Sequence, residues 1–63
     1  MPMTGKEMIK LLQKHGWQVI RINGSHHMMQ KPGNPNTVPV PLHGNKPLAI
    51  GTENSILKKA GLK

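Results

Sequence analysis

The sequence predicts a two-layer α+β domain: a three-stranded antiparallel sheet with two helices on one face, in the order α-β-β-β-α. Three observations carry this. An amphipathic stretch opens on a capping signal and stops at Gly16, extended segments separated by turn residues run on to Pro41, and a second helical pattern stops at Gly61. Helices that bury one stripe each over a small meander leave the other sheet face open.

The first helix is predicted over Gly5 to His15. Thr4-Gly5-Lys6-Glu7 matches the capping box, in which Thr4 accepts from the backbone of Glu7 and Glu7 reaches back. Met8, Leu11, Leu12 and His15 fall at i, i+3, i+4 and i+7, with Ile9 widening the stripe. Gly16 supplies the positive φ that a helix stop needs. Trp17 to Asn23 is rich in β-branched residues and reads as the first strand. Asn23-Gly24 is a tight-turn signal, since both residues tolerate positive φ. The second strand then runs from Ser25 or His26 to Gln30 or Lys31, with one of Met28 and Met29 in the core. Pro32 to Asn36 is a loop. Thr37 to Pro41 is extended, and its two prolines, lacking N–H donors, mark an edge strand. Thr52-Glu53-Asn54 is expected to start the last helix, with Ile56, Leu57 and Ala60 inward and Lys58 and Lys59 in the final turn.

Composition narrows the function classes. The 63 residues hold nine Lys plus Arg against two Asp plus Glu, a formal charge of +7. That length suits a single domain over residues 1–63 and leaves no room for a second substrate domain. The absence of cysteine removes disulfides, Cys-zinc sites and thiol catalysis. With Trp17 the sole aromatic of the Phe, Tyr and Trp class, a platform that stacks several bases is not expected. Neither a membrane span nor a secretion signal is expected. The charge points to a polyanion, either nucleic-acid phosphates or an acidic protein.

Four groups are candidates for chemistry. His26 and His27 stand just past the hairpin turn. Histidine titrates at about 6.5 in its ordinary state, which suits proton transfer at neutral pH. Adjacent strand residues point to opposite faces, so one imidazole looks at the open face. A histidine beside a turn is also commonly a merely solvated one, and the residues alone leave both readings open. A metal site is not predicted, because two carboxylates and no cysteines give too few converging ligands. Paired-carboxylate hydrolysis is excluded too, since Glu7 and Glu53 each start a helix, and Ser25 lacks an acidic partner for a triad. The cations form the third group. Lys10 and Lys14 lie one turn apart on the first helix, where they are either a solvated face or phosphate contacts, and Arg21 and Lys31 flank the hairpin strands. His43, after the third strand, is the last and weakest candidate.

Taken in order, Lys6 to Leu12, His15-Gly16-Trp17, Arg21, Gly24-Ser25-His26-His27, Val38 to His43 and Ser55 to Leu62 resemble the HicA family of toxins. Gly-Ser-His alone is a weak signal. Joined to Gly16-Trp17 and the closing Ala60-Gly61, it is specific, and it covers nearly the whole chain. The resemblance implies a fold like a double-stranded-RNA-binding domain and a toxin of a type II toxin–antitoxin pair. It also implies a cytoplasmic ribonuclease that cuts mRNA without a cofactor and joins a HicB antitoxin in a hetero-oligomeric complex. The family's catalytic histidine falls on His26, with His27 the second choice. Arg21 and Lys31 would then stabilise phosphate charge near it, and Ser25 would hold a phosphate or orient the ring. Lys10 and Lys14 would contact RNA. The proline-rich stretch from Pro32 to Pro41 departs from the family pattern.

Overall fold

A computed structural model describes residues 2–63. The chain order is α1 (Gly5–Lys14), β1 (Gln18–Asn23), β2 (His26–Gln30), β3 (Thr37–Pro41) and α2 (Ile50–Lys59). The strands form one antiparallel sheet in the order β1-β2-β3. Both helices feed one core: Met8 and Leu12 from α1, Ile56 of α2 with Ala60 at its end, Met29, Val38 and Val40 from the sheet, and Trp17 and Leu48 from the links. The α+β architecture is therefore the predicted one.

The helix ends follow from their residues. The capping box at Thr4 forms in full, with Glu7 N–H donating to Thr4 Oγ1 at 3.1 Å and Thr4 N–H to Glu7 Oε1 at 2.9 Å. Both helices stop in the same way. Trp17 N–H donates to the Leu12 carbonyl at 3.0 Å and Gly16 N–H to that of Gln13, while Leu62 N–H reaches Leu57 at 2.8 Å and Gly61 N–H reaches Lys58. These are two Schellman motifs, each with glycine at the positive-φ position and an apolar pair closing it. Trp17, 1% exposed, is both a stop of α1 and the largest core side chain.

Strand register decides which side chains meet the helices. Met29 pairs with Val38 and His27 with Val40, and both valines are buried. The opposite, open face carries the pairs His26–Pro41, Met28–Pro39 and Gln30–Thr37. Leu42 N–H donates to the Ser25 carbonyl at 2.7 Å, so alternation aims the ladder groups of Val38 and Val40 at β2. Pro39 and Pro41 thus occupy the positions whose N–H would have pointed to the free edge. The prolines cost no ladder bond, and β3 keeps all five residues despite them.

Three expectations need correction. The two-residue hairpin turn is Gly24-Ser25, not Asn23-Gly24: Asn23 pairs with His26 inside the ladder, and no residue other than glycine has positive φ among those described. Glycine at the first central position fits a II′ turn, whose twist matches that of the strands. Helix α2 begins at Ile50, two residues before Thr52, and its N-cap Ala49 makes no side-chain cap. Glu53 instead accepts the Met3 N–H at 2.9 Å, tying the start of the chain to α2. Finally, His15 is the exposed C-cap of α1 and not part of its apolar stripe.

Candidate active-site cleft

The first residue of β2, His26, is exposed, and it projects from the open face beside Pro41. Its neighbour His27 turns to the helix side, between Ile22 and Val40, where its Nδ1 is buried without a hydrogen-bond partner. The pleat thus separates the two imidazoles. One is free to meet a ligand, and the other is committed to packing.

His26 borders a shallow cleft of about 390 Å³ between the β3 edge and α2. Pro39 and Pro41 form the sheet wall, while Thr52, Ser55 and Lys59 come from α2. The α2 residues stand there because Ile56, 4% exposed, seats in the core and fixes the helix rotation. Positions 51, 55 and 59, each one helical turn apart, then line the cleft. An imidazole, two hydroxyls and an ammonium group around an open hollow can transfer a proton beside a bound anion. Among the described residues, no three His, Asp or Glu side chains gather to hold a metal ion.

The predicted cations separate into three places. Arg21 pairs with Met28 and so shares the open face with His26. A bulge puts it there: the register shifts between Val19 and Arg21, and the extra residue Ile20 reverses the alternation that would have aimed Arg21 at the helices. Lys31 is a correction. It follows the far end of β2, about 16 Å along the strand from His26, and its stem packs beside Gly16, with Cε 3.4 Å from where a Cβ would stand there. It flanks the end of α1, not the histidine. Lys10 and Lys14 are exposed on α1, and neither lines the cleft. Ser25 sits in the turn, half-buried, with its carbonyl engaged by Leu42. His43 is an exposed loop residue outside the cleft.

Sequence reading missed the part played by α2. The sequence groups Lys59, at the end of the last helix, with the cations that would hold RNA or meet the antitoxin and not with those near His26, and it puts Thr52 at the start of that helix. The signal was present in the i, i+4, i+8 spacing of Gly51, Ser55 and Lys59. It becomes legible only once the helix is known to begin at Ile50 and to rotate on Ile56.

No helix of the described chain is long and apolar enough to cross a membrane. Among curated proteins, the chain finds no match. A protein-family model described as "HicA toxin of bacterial toxin-antitoxin" matches residues 5–62, from the first residue of α1 to the Schellman motif behind α2. With all five elements inside that match, the chain belongs to the HicA family, the toxin side of bacterial toxin–antitoxin systems.

Proposed function

We propose that this toxin is a metal-independent endoribonuclease that cuts mRNA in the cytoplasm and arrests translation, with His26 as its acid–base residue. A HicB-type antitoxin restrains it within a hetero-oligomeric complex. The observation that carries the reading is the exposure of His26 at a cleft that also holds Lys59, Thr52 and Ser55. RNA brings its own nucleophile, the 2′-hydroxyl. His26 takes the 2′ proton, the 2′-oxygen bonds to phosphorus, and the bond from phosphorus to the 5′-oxygen breaks. The products are a 2′,3′-cyclic phosphate and a 5′-hydroxyl. A water in the open cleft protonates the departing 5′-oxygen, and the hydroxide left behind is neutralised by the proton His26 then releases. Such acid–base catalysis contributes about 10²–10⁴-fold. Arg21, on the same face, supports the approach of the RNA backbone.

The test is cleavage of RNA by purified protein in EDTA. The parent chain is expected to cut, and His26→Ala to lose at least about 10²-fold in rate while keeping its fold and RNA affinity. Stable complexes with intact RNA would make the protein a non-catalytic RNA binder. Parent-rate cutting by His26→Ala would sink the assignment of that residue.

A further inference from the structure

We propose that Lys59 is the phosphate anchor of this cleft: its ammonium group binds the non-bridging oxygens of the scissile phosphodiester and stabilises the charge that builds on them in the transition state. The proposal rests on the endoribonuclease reading and gives a role to a cation which that reading leaves without one, since Lys31 lies far from His26. Lys59 and His26 line the same cleft from opposite walls, one on α2 and one on the sheet. The two side-chain carboxylates are held elsewhere, Glu7 at the Thr4 cap and Glu53 at the Met3 N–H, and neither lines the cleft. No Asp or Glu side chain therefore stands beside Lys59 in the lining of the hollow.

The rest of the lining favours a phosphodiester strand over a compact ligand. Pro39 and Pro41 present rigid rings, which suit a ribose. Gly51, at the other end of the Lys59 stripe, has nothing within 4 Å of where a Cβ would stand, so the hollow is open there for a chain to pass. Ser55 and Thr52 add hydroxyl donors between the two ends. In the reaction no bond to Lys59 forms or breaks, and it remains an ammonium throughout. Removing one preorganised donor to a developing oxyanion typically costs about 10²–10³-fold in kcat.

Lys59→Gln is the test, read with Lys59→Arg, with Lys58→Gln and with His26→Ala on one RNA oligonucleotide. The expectation for Lys59→Gln is a fall in kcat of about 10²-fold with KM moved far less. Arginine at 59 should restore much of the rate. Lys58→Gln removes the same charge one residue away, from an adjoining hollow that shares Gly51, Ser55 and Lys59 but lacks His26, and is expected to stay within a few-fold of the parent. If Lys59→Gln cuts at the parent rate while His26→Ala is inactive, the anchor is wrong and the endoribonuclease reading stands. If the parent protein cuts no RNA, that reading falls, and an NMR titration with inorganic phosphate decides the anchor separately. Shifts at His26 and along Thr52 to Lys59 that vanish in Lys59→Gln would support it. Their absence in the parent protein would overturn it.

Discussion

Two imidazoles one residue apart meet different surroundings because a strand alternates its faces. Alternation alone says that His26 and His27 separate. Which of them faces outward depends on the register of β2 against Val38 and Val40, and that register is set across a loop whose conformation no local pattern specifies. This is why the sequence supported His26 by resemblance but kept His27 as a second choice. The placement of His27 has its own consequence. Its Nδ1 is buried without a partner, and such a group costs about 1–3 kcal/mol. His27→Leu removes the unsatisfied atom and extends the apolar surface beside Val40. It is expected to raise stability by about 1 kcal/mol in urea denaturation and to leave RNA cleavage intact. A loss of cleavage with the fold preserved would return His27 to the chemistry.

At the scale of elements, the helix and strand assignments were legible because their signals are local: a capping box, two glycine stops, and runs of β-branched residues. What was not legible depends on contacts between elements. The start of α2 lacks a side-chain cap, and Thr52 mimics one. The bulge at Ile20 leaves no mark in composition, yet it decides the face of Arg21. Gly5 is a third such case. In the first turn of a helix, alanine would ordinarily be preferred to glycine by up to about 1 kcal/mol. Here a Cβ on Gly5 would collide with the Pro41 carbonyl oxygen and stand 3.2 Å from Leu42 Cα. Gly5→Ala is therefore expected to destabilise the fold by about 1–3 kcal/mol, measured by denaturant unfolding. Because Pro41 pairs with His26, the same variant is expected to shift the His26 resonances in an NMR spectrum.

For the whole molecule, the charge of +7 announced a polyanion, but not that the cations would divide between two surfaces. The α1 set, Lys6, Lys10 and Lys14, is exposed on a helix that lends no lysine to the cleft, while Arg21 shares the open face with His26 and Lys59 lines the cleft beside it. Because the α1 lysines stand outside the cleft, affinity and rate can be altered separately. Reversing Lys10 and Lys14 to Glu should weaken RNA binding and flatten its dependence on salt, because each lost phosphate contact removes about 0.7 from the slope for a single strand. The rate at saturating RNA should remain near the parent value. Titrations of binding against salt, paired with single-turnover cleavage, check both halves. An equal fall in rate would mean that the α1 face reaches the reacting phosphate.

The prolines of β3 also govern how this sheet can grow. With Pro39 and Pro41 at two of the three outward positions of β3, that border offers an incoming strand no N–H at either of them. The opposite border, β1, has no strand on its outer side among the described residues, and Ile20 and Ile22 there are 49% and 60% exposed. A strand added at β1 would lie on the far side of β2 from the prolines and α2. Joining this toxin by strand addition and stopping up its cleft are thus separate acts, and a partner that did both would need two distinct parts.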